Sequence, residues 1–106
     1  MEQQRYEDMT ATIAYYMSEE QEQLTAIVNR HETFDLMKVS DMHAYMACCT
    51  DYSLIRQRYW EIRDSLIATY AEEDPLREQF WNIWNRQEMD MDNDFFRQLA
   101  SKAEKL

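Results

Sequence analysis

The sequence predicts an all-α protein, a single compact domain over residues 1–106 built as a bundle of four to five helices. Three observations predict it. The chain has no glycine and one proline, Pro75. Strands and hairpins need turn residues that accept positive φ, and glycine supplies most of them. Apolar residues recur three and four positions apart over long stretches, the spacing of one helix face. The apolar share is 45%, with 14 aromatic and eight methionine residues, so a core forms despite a formal charge of −10.

The first stripe runs Met9, Ile13, Tyr16, Met17, Leu24, Ile27 and Val28. Its phase holds across Ser18, so one helix over about residues 4–30 is preferred to two, although Ser18 followed by Gln21 has the form of a capping box. Residues 31–40 are irregular, with Thr33 or Asp35 suited to a short turn and Ser40 to a helix cap. Met42, Tyr45, Met46, Cys49 and Tyr52 lead into Ile55, Tyr59, Ile62, Leu66 and Tyr70. Thr50 and Asp51 are both good caps. They divide this stripe into a helix over 41–49 and another over 51–73.

Asp74-Pro75 is the clearest boundary. Asp74 reads as an N-cap, and Pro75 as a first helical residue whose missing N–H costs nothing. Leu76, Phe80, Ile83 and Trp84 then stripe a helix over 75–88. Asp90, Asp92, Asn93 and Asp94 read as a polar link, before a last helix over 94–104 carrying Phe95, Phe96, Leu99 and Ala103. Lys102 and Lys105 suit the C-terminal end of that helix, where the dipole is negative.

Several kinds of site fail on spacing. Phosphate-cradling loops, Rossmann turns and nucleophile elbows depend on glycine. Asp90-x-Asp92-x-Asp94 opens like an EF-hand, but its sixth position is Phe95 instead of glycine and its twelfth is Ser101 instead of glutamate. His31, His43, Cys48 and Cys49 lack the paired spacing of zinc ligands. No Glu-x-x-His pair occurs, which removes the usual di-iron bundle. A thiolate at Cys48 or Cys49 would need a base and an oxyanion hole, and mid-helix cysteines lack that setting. They read as small core residues of a reducing compartment. No catalytic residue, cofactor or metal is assigned, and the chain is expected not to be an enzyme. With no signal peptide and no long apolar run, a cytoplasmic location is expected.

Charge is what distinguishes the chain. Residues 1–35 carry eight acids against two bases, and residues 74–94 six against two, whereas residues 36–73 are nearly balanced and residues 95–106 are basic. Such a field repels nucleic acid and anionic membranes and favours a basic partner. Arg56, Arg58 and Arg63 beside Tyr59 and Trp60 have the look of a stacking platform for bases. Glu61 and Asp64 beside them favour a second role, pairing with acids of the first helix.

The candidate partner-binding residues are Glu19, Glu20 and Glu22, then Asp90, Asp92 and Asp94, with Trp81 as an aromatic anchor within a rim of Glu78, Glu88 and Asp90. Core packing is the default role for the neighbouring Phe80, Ile83 and Trp84. These features imply a small acidic protein that inhibits or modulates a basic, nucleic-acid-binding partner, its carboxylates standing in for phosphates. In composition, though in no specific motif, the chain resembles phage and mobile-element inhibitors of host defence, the anti-CRISPR and anti-restriction proteins, some of which mimic DNA. That resemblance implies the host cytoplasm. The alternative is a helical adaptor or structural protein that acts through homodimerisation or helix–helix docking.

Overall fold

In the computed structural model, which describes residues 2–104, three long helices run up, down and up: α1 Glu2–Val28, α2 Val39–Ile67 and α3 Pro75–Glu104. No strand occurs among the described residues. The all-α expectation is met, but three helices stand where four to five were expected. A compact chain of this length has a radius of gyration of about 13 Å. The observed 17.1 Å and extents of 57 × 19 × 16 Å describe a rod. Helices near 30 residues are about 45 Å long, so three laid side by side give this shape.

α1 is a single helix through Ser18, as the unbroken stripe predicts. Its buried residues Met9, Ile13, Met17, Leu24 and Ile27 keep the spacing of one face. The expected break at Thr50-Asp51 is absent. Thr50 Oγ1 bonds back to the Met46 carbonyl at 3.1 Å, so the hydroxyl stays within the helix instead of capping a new one. Asp51 points outward and accepts from Arg30 at 2.5 Å. α2 begins at Val39, before Ser40, which therefore does not cap it. Asp35 makes the turn ahead of it, accepting from the Met37 N–H at 3.1 Å, while Asp41 Oδ2 accepts from the Asp35 N–H at 2.7 Å.

The expected link at Asp90–Asp94 is also helix. Met91, Phe95 and Leu99 continue the buried face that Leu76, Phe80 and Trp84 begin, and their burial outweighs the weak helix propensity of the aspartates. At Asp74-Pro75 the expectation holds. Asp74 Oδ1 accepts from the Leu76 N–H at 3.0 Å, and Pro75 is the first residue of α3. The preceding helix ends earlier than expected, at Ile67 instead of residue 73.

The ends of the rod are tied by specific bonds. Arg5 pairs with Asp74, which sets the start of α1 beside the start of α3. At the other end, Lys102 Nζ donates to the carbonyls of Val28 and His31, 2.5 Å from each. Lys102 lies in the last turn of α3, as expected, and its ammonium also caps the C-terminus of α1, where the dipole is negative. Lys105 lies outside the described residues. Phe34 of the α1–α2 loop is buried, and its N–H donates to the Lys102 carbonyl at 3.1 Å. α1 and α3 are thus parallel and closely packed, with α2 antiparallel to both. The α2–α3 pair is the least closely packed of the three.

Candidate functional site

The core is interrupted halfway along by charge. Glu20 falls between Met17 and Leu24 on the buried stripe of α1, and Glu88 between Trp84 and Met91 on that of α3. Arg56 takes the facing position on α2 and is buried with them. Its Nη1 donates to Glu20 and, at 2.6 Å, to Glu88, while Nη2 donates to Asp92. The Arg56 guanidinium lies 5.4 Å from the Tyr52 ring centroid. Trp60 Nε1 donates to the second oxygen of Glu88 at 3.2 Å. One guanidinium thus holds carboxyl groups from both other helices, with planar donors suited to several acceptors at once.

Three carboxyl groups around one arginine leave an excess of negative charge. Glu20 is 0% exposed, and its Oε1 has no hydrogen-bond partner. Burial pushes the Glu20 pKa up to about 8 against the pull of Arg56, and the charge of Glu88 adds to the rise. Burial thus favours the protonated form of Glu20 more than in an ordinary glutamate. Burial works against the Arg56 charge, yet Glu20, Tyr52, Glu88 and Asp92 together raise its pKa further and keep it protonated. Of the three carboxyl groups, Asp92 is the one open to solvent, with 31% of its side chain exposed.

A second polar contact extends the layer along α1 and α2. The fully buried Tyr59 donates to Glu19 Oε1 at 2.5 Å and accepts from Gln23 Nε2 at 2.7 Å. Burial and the Glu19 carboxylate both raise its pKa. Neither Arg56 nor Tyr59 forms the surface stacking platform that their sequence neighbourhood suggests, because both side chains face the core. Pairing with acids of the first helix does occur, but buried, not at the surface where such pairs are worth little.

The acidic residues read from the sequence do not form one face. Glu20 is enclosed and held by Arg56, so it is not available to a partner. Glu19 is engaged by Tyr59, Asp92 by Arg56, and Asp94 by Arg97. Glu22 and Asp90 are exposed. Nine residues apart at about 100° each, Trp81 and Asp90 point in opposite directions, so Asp90 cannot rim that tryptophan. Glu88 is buried and cannot either. Asp90 and Asp94 share a helix face, but Asp92 diverges from both by about 160°, which keeps the three from converging on a cation. Among the described residues, no group of three or more His, Cys, Asp or Glu side chains is placed to hold a metal ion.

Trp81 does stand in an acidic setting, but one built by other residues. It is 45% exposed and borders a surface hollow of about 440 Å³ between the end of α2 and the start of α3. Ile67 and Pro75 floor the hollow, and Glu72, Glu73, Asp74 and Glu78 surround it. Asp74 is spoken for by Arg5 and the Leu76 N–H, which hold its carboxyl below the usual aspartate range. Arg77, the base in this wall, donates at 3.1 Å to the Tyr70 carbonyl. Arg63 lies over the Trp81 ring, 4.5 Å from its centroid, and 5.7 Å from that of Trp60. This stacking holds Trp81 upright beside the hollow.

Glu72 and Glu73 went unassigned because they read as the last residues of the helix expected over 51–73, whereas α2 ends at Ile67 and leaves them in the turn before Pro75. Glu20 and Glu88 carried a legible signal: each sits three or four residues from its buried neighbours, at a core position of its stripe. No protein-family model, curated protein or solved structure matches this chain. No helix among the described residues is long and apolar enough to cross a membrane.

Proposed function

We propose that the chain is a small non-enzymatic binding protein whose acidic end captures a basic segment of a partner, of the sort that nucleic-acid-binding proteins present. The single observation behind this reading is the hollow beside Trp81, where a half-exposed indole stands among Glu72, Glu73 and Glu78. An arginine or lysine entering it meets carboxylates on the rim and an aromatic face at the wall, the two features that hold a cationic side chain. Occupying a partner's Lys- and Arg-rich surface in this way competes with nucleic acid for it and inhibits or modulates the partner, as an anti-CRISPR or anti-restriction inhibitor would. Glu22 and Asp90 contribute to the general negative field instead of to this contact. On this reading the protein acts in the cytoplasm of the cell where its partner works, with Cys48 and Cys49 kept reduced.

The experiment uses an arginine-rich peptide of about ten residues as probe, with Kd measured by titration at low and moderate salt. Steep weakening with salt is expected, as for any contact dominated by charge. Reversal of the rim by Glu72→Lys, Glu73→Lys and Glu78→Lys is expected to abolish binding, whereas reversal at Glu22 and Asp90 leaves most of it. Equal loss from both sets would reduce the contact to net charge and remove the hollow from the explanation.

A further inference from the structure

One of the acids around the hollow beside Trp81 already holds a guanidinium, that of Arg5, 69 residues earlier in the chain. Asp74 divides its carboxylate between two partners. Oδ1 accepts from the Leu76 N–H at 3.0 Å and caps α3, while Oδ2 takes Arg5. The effect is mutual: the bond to Asp74 raises the Arg5 pKa, and the same bond lowers that of Asp74. The acidic end of the rod therefore shows, within the molecule, which kind of group its carboxylates take.

The segment that carries Arg5 is held by little else. Every residue from Glu2 to Asp8 is exposed, and Met9 is the first buried one. The other side-chain bonds of these two turns, Gln3 to Glu7, Gln4 to Asp8 and Arg5 to Glu2, stay within α1. Among the described residues, the Arg5–Asp74 pair is the polar contact that ties these turns to another element. The packing beside it is open as well, for Arg5, Asp8, Met9, Thr12 and Tyr70 line a hollow of about 200 Å³. Arg5 can thus leave Asp74 without breaking a buried contact. It keeps Glu2, 2.9 Å away and one turn earlier, and Asp8 lies one turn later on the same helix face. Exposed helix ends of this kind open at little cost in free energy.

We propose, on the reading of the hollow beside Trp81 as the site for a partner's basic segment, that Arg5 is an internal competitor of the partner's cationic side chain. The first two turns of α1 form a strap that occupies Asp74 in the free protein and releases it when an arginine of the partner arrives. Two guanidinium groups on one carboxylate repel each other, so the incoming one gains most where Arg5 leaves. Asp74 Oδ1 keeps the Leu76 N–H throughout, so the exchange leaves α3 capped. Exposed ion pairs of this sort change an equilibrium by a factor of about two to five. An effect of that size tunes the contact without closing it. By reciprocity, the partner loosens the strap by the same factor.

The probe is the arginine-rich peptide of about ten residues, titrated into wild type and into variants whose fold is verified by circular dichroism. Arg5→Gln is expected to lower its Kd about twofold to fivefold. Arg97→Gln removes the same charge and a comparable i, i+3 pair, with Asp94, but about 24 Å along α3 from Trp81 and beyond the reach of screened charge. It is expected to leave the Kd unchanged. Asp74→Asn keeps a capping residue at the start of α3 and removes the carboxylate for which the two cations compete. Arg5→Gln added to it is therefore expected to gain nothing further. Amide hydrogen exchange at Tyr6, Glu7 and Asp8 is expected to rise when the peptide binds. Equal tightening by Arg5→Gln with and without Asp74→Asn would overturn the proposal, since Arg5 would then act as charge alone. Tightening by Arg97→Gln as large as by Arg5→Gln would do the same, as would exchange that the peptide leaves unchanged or lowers. An unchanged Kd in Arg5→Gln, with binding still abolished by reversal of Glu72, Glu73 and Glu78, would sink the competitor and leave the hollow as the binding site. Binding that survives that reversal, or no binding by wild type and Arg5→Gln alike, would remove both.

Discussion

Glu20 makes the stability of this protein depend on pH in a direction opposite to most carboxylates. Its pKa is about 8 in the folded chain, against 4.5 for an ordinary glutamate. Between those values the folded state binds a proton that the unfolded state has lost. Stability therefore falls as pH rises, by about 1.4 kcal/mol per pH unit. Full stabilisation is present below pH 4.5, and it is lost progressively as pH climbs through 8. From pH 5.5 to 7.5 the loss is about 2–3 kcal/mol, a large fraction of the stability of a domain this size. The assay is urea unfolding followed by circular dichroism at half-unit steps of pH. The control is Glu20→Gln, which has the shape of the protonated acid and no titration, and in which the slope should flatten. Two other groups stay clear of this window. Asp74 lies below it, and the Cys48 and Cys49 thiols are pushed above the usual thiol range by burial. A wild-type stability that stays level or rises from pH 5.5 to 7.5 would refute the reasoning. A Glu20→Gln variant that keeps the wild-type slope would do so equally.

Other expectations follow from the same geometry. Arg56→Met leaves the Glu88 carboxylate buried without its counter-charge and Glu20 without its hydrogen-bond partner, and should cost about 3–5 kcal/mol by denaturant unfolding. Replacing the layer together, as Glu20→Leu, Arg56→Met and Glu88→Leu, should restore stability to within about 1 kcal/mol of wild type or exceed it. Failure of that restoration would mean the layer contributes net stability of its own. Trp84→Ala empties a fully buried site stacked on Phe80 and should cost about 3–5 kcal/mol. Asp74→Ala removes the cap of α3 and the partner of Arg5, and calorimetry should find the Tm lower by about 5 °C. Because the Arg5 guanidinium and the Leu76 N–H depress the Asp74 pKa, its contribution is present above the ordinary aspartate value. It is lost as pH falls below that value, so this substitution should soften the acid limb of the stability curve.

The missing glycine, the apolar spacing and the Asp74-Pro75 pair determined the helical class, the continuity of α1 and the start of α3. Those are local properties: a periodic apolar face and a capping residue act within a few turns of where they are written. The continuity of α2 and α3 was not local. Thr50, Asp51 and the Asp90–Asp94 run are residue types that cap helices, and they are equally at home on the face of a helix whose other side is buried. Only the burial of Tyr59 and Trp84, and of Met91 and Phe95, decides between the two. The candidate site divides in the same way. Composition announced an acidic protein with Trp81 as an exposed anchor. Which acids stand free was settled by Arg56, which draws Glu20, Glu88 and Asp92 to itself from two other helices. A guanidinium taken out of water must find carboxylates wherever the packing brings them, and distance in space, not along the chain, determines which carboxylates those are.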